Sequence, residues 1–281
     1  MFPRQLLLPL LAVLTAVFPS VGTEKTPQLV DVGGYKLDVL RAGAGTPPVI
    51  LVAGLGNPLD DWAPLCPSIA KFTSVVAYSR GGLGRSESGS SDHSAKSNVV
   101  ELHALLARLK LTPPYVLVGR SYGGILVRLY TSLYPAEVGG LVIVDGTHEQ
   151  QVQRWGKLDG TYPNTFRTFF EDKLKTMKPG AEADETRETV RIQAAGAIEG
   201  LAPLPDIPIA VLTSMKVAPT PQSVNQTAQG YEAWRAMHEE WFRRSHNGLH
   251  IVTTRSGHAI QDDEPQLVVD AIKFVVARVG G

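Results

Sequence analysis

The chain has one cysteine, Cys66, so no disulfide can close within it. It also has no His-Glu-x-x-His, no Cys-x-x-Cys pair and no Gly-x-Gly-x-x-Gly after its first buried-strand run. Those are the common signals for a zinc site or a dinucleotide site, and no cofactor or metal is expected. An excess of either charge is missing too. Lys plus Arg number 27, Asp plus Glu number 27, and the net charge is +0. No overall field draws the chain to nucleic acid or to an anionic membrane. Internal repeats and low-complexity stretches are absent, and no apolar run is long enough for a comfortable bilayer span.

What is present suits one large globular domain. The 281 residues are 43% hydrophobic and 19% charged, far from the composition of disordered chains. Residues 1–22 read as a signal peptide. Arg4 gives a positive start, Leu6–Phe18 an apolar stretch, and Ser20-Val21-Gly22 small residues for cleavage. A secreted or periplasmic protein is expected, without stable membrane insertion after cleavage. A retained anchor is the alternative reading. No cysteine immediately follows the apolar stretch to carry a lipid. Asn225-Gln226-Thr227 fits a glycosylation sequon.

From residue 23 to 281 the pattern is that of a single α/β domain. Gln28–Val32 and Tyr35–Arg41 alternate around Gly33-Gly34 and predict a hairpin. Six short apolar runs follow: Val49–Val52, Ser74–Tyr78, Tyr115–Val118, Leu141–Val144, Ile207–Leu212 and Leu249–Thr253. Unbroken runs of this length suit strands covered on both faces. Helical stripes lie between them, such as Val99, Leu102, Leu105, Leu106 and Ile125, Leu126, Leu129, Leu133. A third, from Leu267 to Val275, marks a C-terminal helix. The expectation is an eight-stranded, mostly parallel sheet with helices on both faces. Residues 147–205 break the rhythm. They hold Trp155, Tyr162, Phe166, Phe169 and Phe170, then a polar helical stretch near Glu182–Ile198. A loop of that length is implausible in a packed domain. A helical cap over the C-terminal edge of the sheet is expected, its aromatics forming either an acyl pocket or the cap's own core.

The chemistry is carried by Gly119-Arg120-Ser121-Tyr122-Gly123, which follows a strand run and opens a helical stripe. A sharp strand-to-helix turn of this kind lifts a serine hydroxyl clear of the sheet. With Leu51–Gly56 followed by Asp61-Trp62, Tyr78–Ser86, and Ser256-Gly257-His258 followed by Asp262, Glu264 and Pro265, the chain resembles the α/β-hydrolase superfamily along nearly its whole mature length.

The resemblance implies that Ser121 is a nucleophile and His258 its base. Of the six other histidines, His148 is the one competitor, because it follows a strand end near the cap. The acid departs from the family's usual place: Thr213–Pro221 contains no Asp or Glu. A variation within the superfamily puts it one strand earlier, at Asp145. An Asp that merely caps the turn at Gly146 is the plain alternative, and Glu149 and Asp206 are poorer acids. By resemblance the oxyanion hole is made by the backbone N–H groups of Leu55 and Tyr122. Arg120 reads as a structural residue behind the turn or as a contact for an acidic substrate group.

Epoxide hydrolases and haloalkane dehalogenases of this fold carry Asp at the turn, so Ser121 argues against both. The leading expectation is hydrolysis of a small carboxylic ester or related acyl substrate through an acyl-enzyme. Lactonase, thioesterase, peptidase, C–C bond hydrolase and acyltransferase activities need the same groups. A non-catalytic binding protein built on this fold is the alternative from another class.

Overall fold

The computed structural model describes residues 26–89, 92–243 and 245–279; the expected signal segment, residues 1–22, lies outside them. The front hairpin is β1 (Gln28–Asp31) and β2 (Lys36–Ala42), paired antiparallel. Its turn is held by the Asp31 carboxylate, which accepts the N–H groups of Gly33 and Gly34. Then come β3 (Val49–Val52), β4 (Val75–Tyr78), β5 (Tyr115–Arg120), β6 (Val138–Val144), β7 (Ile209–Ser214) and β8 (Gly248–Thr253). Among the described residues they form one eight-stranded sheet in the order β1-β2-β4-β3-β5-β6-β7-β8. β2 runs antiparallel to β4, and the pairs from β4 to β8 are parallel. β6 starts at Val138 rather than Leu141. Gly139 and Gly140 give no apolar signal, yet they leave room for Val275 and Val279.

Helices cover both faces. They are α1 (Cys66–Ile69), α2 (Ala95–Arg108), α3 (Tyr122–Leu133), α4 (Gln151–Leu158), α5 (Tyr162–Thr176), α6 (Ala181–Ala195), α7 (Ala228–Phe242), α8 (Ile260–Asp263) and α9 (Pro265–Val279). The period-2 geometry of a strand explains the unbroken apolar runs. Ile50 and Val52 pack with α2 and α3 on one face, while Val49 and Leu51 pack with α1 and α9 on the other. Leu117 and Val118 divide between the two faces in the same way. Ser94 caps α2 by accepting the Ser97 N–H at 3.2 Å, and Thr227 caps α7 by accepting that of Gly230 at 3.1 Å.

α4, α5 and α6 occupy the interval between β6 and β7. α7, between β7 and β8, joins them: Val152, Trp155, Tyr162, Trp234 and Met237 form a small buried cluster. α5 buries only Tyr162. α6 behaves in the opposite way and buries Glu185, Thr186, Glu188, Thr189 and Gln193. No helix among the described residues is long and apolar enough to cross a membrane.

Candidate active site

Ser121 stands between β5 and α3 with φ at 51°, a backbone region that side chains other than glycine rarely adopt. The chain around it is packed too tightly for side chains. A β-carbon on Gly119 would lie 2.4 Å from the Gly123 carbonyl oxygen, and one on Gly123 would lie 2.3 Å from that of Val52. The turn is tied to the end of the next strand, since the Ser121 N–H donates to Val144 O and its carbonyl accepts from the Thr147 N–H.

Asp145 is the first residue beyond β6 and also has positive φ, 43°. Its N–H donates to Leu212 O, continuing the β6–β7 ladder. The carboxylate is buried and has three donors. Oδ1 accepts from the Ser214 N–H at 2.9 Å and from Trp234 Nε1 at 2.8 Å. Oδ2 lies 2.7 Å from His258 Nδ1. Burial alone would raise this carboxyl's pKa. The hydrogen bond and charge of His258, helped by Trp234, outweigh burial and hold it below the usual value.

His258 follows β8 in a loop that Glu264 gathers by accepting from Thr253 Oγ1, Ser256 Oγ and Arg255. Ser214 Oγ donates to Ser256 O at 2.7 Å, joining the ends of β7 and β8. An ionised carboxylate facing Nδ1 keeps the proton there and leaves Nε2 as the acceptor. The imidazole is half exposed.

Ser121, Asp145 and His258 line one cavity of about 610 Å³, together with Leu55 and Tyr122. Among the described residues no hydrogen bond joins the serine hydroxyl to the imidazole; such contacts commonly tighten only when substrate binds. The backbone N–H groups of Leu55 and Tyr122 likewise meet no protein acceptor among the described residues. Tyr122 opens α3, where a helix leaves its first donors free. Ser121, an imidazole held by a buried carboxylate, and the two residues with unpaired backbone N–H groups thus share one cavity. Trp155, Tyr162, Phe166, Phe169, Phe170 and Trp234 make the cavity's aromatic wall. Trp155 and Tyr162 also belong to the cap's small core, where they pack with Trp234 of α7.

The other candidates lie elsewhere. His148 is buried in a separate pocket with Arg128 and Trp241. Glu149 pairs with Arg128 at 2.8 Å, and Asp206 pairs with His246 on the surface. Arg120 pairs with Asp61 at 3.1 Å, and Asp61 also accepts from Gln261 and the Gly54 N–H. Arg120 is therefore tied through Asp61 to the backbone at Gly54. Asn225 and Gln226 of the sequon line the cavity.

Residues 47–198 match the model of a family described as alpha/beta hydrolase fold. The chain belongs to the α/β-hydrolase family. Uncharacterized protein YqjL of Bacillus subtilis (strain 168) is 25% identical over 232 residues, which is 83% of this chain and 84% of that one. Among solved structures, a thermophilic esterase from Thermogutta terrifontis aligns with a TM-score of 0.62 at 17% identity, over 91% of this chain and 100% of that one. The epoxide hydrolase CorEH aligns with a TM-score of 0.63 at 15% identity, over 90% of this chain and 98% of that one. An esterase and an epoxide hydrolase on one fold leave the choice of chemistry to the site's own residues.

Two residues in or near the site gave no sequence signal. Trp234 comes from α7, a helix with no motif, and its role appears only where it meets Asp145. Glu185 lies in the stretch read as a polar helix, and it is fully buried against Arg80 at 2.5 Å. Removing one partner of a buried pair costs about 3–5 kcal/mol, because the other charge is left uncompensated.

A buried histidine behind Asp145 sets an acid limit on stability. His238 Nε2 donates to Gly146 O at 2.9 Å, so in the neutral ring Nδ1 accepts from Thr213 Oγ1 at 2.6 Å. Burial pushes its pKa from 6.5 down to about 3, against the pull of Asp145. Burial likewise takes His148 from 6.5 down to about 4. Both folded values are depressed, so below 6.5 the unfolded chain binds more protons than the folded one. Their contribution is complete above pH 6.5 and is lost as the pH falls towards 4 and 3. The slope is about 1 kcal/mol per pH unit for each group. Urea midpoints are expected to fall steeply between pH 6.5 and 4.5. His238→Gln is expected to flatten that slope, and an unchanged slope would contradict this account.

Proposed function

We propose that this α/β-hydrolase is a serine hydrolase that cleaves a carboxylic ester or a related acyl substrate through an acyl-enzyme on Ser121. The observation that carries the reading is the 2.7 Å contact between His258 Nδ1 and the buried Asp145 carboxylate, on the same cavity as the strained Ser121. In this mechanism His258 Nε2 takes the Ser121 proton as Oγ bonds to the carbonyl carbon. The carbonyl π electrons move onto oxygen, and the N–H groups of Leu55 and Tyr122 receive the resulting oxyanion. As the oxyanion collapses, the bond to the leaving alcohol breaks and His258 gives that alcohol its proton. Water then enters beside the half-exposed imidazole, loses a proton to Nε2, and releases the acid from Ser121 by the same route. Asp145 stays ionised and stabilises the imidazolium formed in each half-reaction.

The aromatic wall suits an apolar small-molecule substrate, and the cavity volume falls within the usual range for such ligands. A panel of p-nitrophenyl ester, thioester, lactone and peptide substrates tests the reading. Turnover is expected to be highest on esters. A folded protein that turns over none of the panel would count against the proposal.

A further inference from the structure

We propose that Glu185, on cap helix α6, is a positioning residue that aims the Leu55 N–H of the oxyanion segment. This rests on the serine-hydrolase reading of the site. Arg80 and Glu185 are fully buried side by side, with side-chain exposures of 1% and 0%. Glu185 Oε1 accepts from Arg80 Nε at 2.5 Å and from Asn98 Nδ2 at 3.2 Å. Its Oε2 accepts from Arg80 Nη2 at 2.8 Å and from the Gly56 N–H at 2.9 Å. The guanidinium turns its remaining donors on the same backbone stretch. Arg80 Nη1 donates to Ala53 O at 2.9 Å, and Nη2 donates to Gly54 O at 2.7 Å.

These contacts bracket Leu55 without touching its N–H. The Gly54 carbonyl and the Leu55 N–H belong to one planar peptide unit, and in a trans unit they point in opposite directions. The bond between residues 54 and 55 is not among the cis bonds. Arg80 holds the Gly54 oxygen on one side, so the Leu55 N–H is turned to the other and left free. Glu185 then fixes the next N–H, that of Gly56, and fixes the guanidinium itself. Preorganised donors of this kind stabilise a transition state only if their direction is held. A helix more than a hundred residues away in sequence thus sets the direction of one oxyanion donor. Glu188, three residues on, makes a separate tether from α6 to the Ala95 N–H at 3.2 Å and touches no part of the oxyanion segment.

The experiment compares Glu185→Gln and Glu188→Gln with wild type on a p-nitrophenyl ester. It adds two inhibition constants, one for phenylboronic acid, which forms a tetrahedral adduct on a serine, and one for a planar carboxylic acid product. Glu185→Gln is expected to lower kcat about 10- to 100-fold, less than the roughly 10²–10³-fold for outright loss of a donor. KM and product affinity are expected to stay within about threefold, while boronate affinity weakens in step with kcat/KM. Glu188→Gln is expected to lower Tm and leave kcat unchanged. If Glu185→Gln does not fold, Arg80→Met with Glu185→Leu removes both charges from the interior and serves instead, with at least the same loss of kcat expected. A folded Glu185 variant with wild-type kcat and boronate affinity overturns the proposal, as does an equal loss in Glu188→Gln. Folded wild-type protein that turns over no ester, thioester, lactone or peptide of the panel overturns the serine-hydrolase reading itself.

Discussion

Ser121→Ala is expected to fold with an unchanged near-UV spectrum and to lose ester turnover by about 10³- to 10⁶-fold in kcat, with little change in KM. The alanine leaves the cavity, the aromatic wall and the oxyanion donors as they are, so substrate still binds. Only the atom that attacks is gone. Alanine at φ 51° carries the same backbone strain as serine, so a large loss of stability is not expected. Steady-state kinetics with circular dichroism as the folding control is the check. Near-normal turnover in the variant would place the nucleophile elsewhere.

Asp145→Asn is expected to cost about 10³- to 10⁴-fold in kcat while the fold survives. The local hydrogen bonds dictate the direction. Oδ1 already accepts from the Ser214 N–H and from Trp234 Nε1. An asparagine must keep its oxygen there, which turns its NH₂ towards His258 Nδ1. That nitrogen then has to accept, so the ring's proton moves to Nε2. An Nε2 that carries a proton cannot take the one from Ser121. Glu149→Gln, which disturbs a pair with Arg128 in a different pocket, is expected to lower Tm rather than kcat. If the two substitutions have the same effect on kcat, the assignment of Asp145 fails.

The sheet and the Ser121 turn were legible because each rests on neighbours in sequence. Apolar runs report strands buried on both faces, and Gly119 and Gly123 report a close approach that no side chain permits. Asp145 was legible as a candidate because the stretch after β7 carries no acid; its contact with His258 is what the structure adds. The polar stretch was legible as a helix but its burial was not. Glu185 and Glu188 are buried where each meets donors from distant segments: Arg80, the Gly56 N–H and the Ala95 N–H. α7 carried no motif, yet its Trp234 completes the coordination of Asp145 and its Met237 fills the cap core. Long-range polar pairing leaves no periodic trace in a sequence, whereas strand burial and tight turns do.

The central claim is that a covalent acyl intermediate forms on Ser121. Peptide mass spectrometry of protein treated with a fluorophosphonate tests it most directly. The expected result is a single phosphonyl adduct on the peptide containing Ser121, formed in step with loss of ester turnover and absent from Ser121→Ala. Folded wild-type protein that remains unmodified, or that carries its adduct on another residue while turnover disappears, would contradict it.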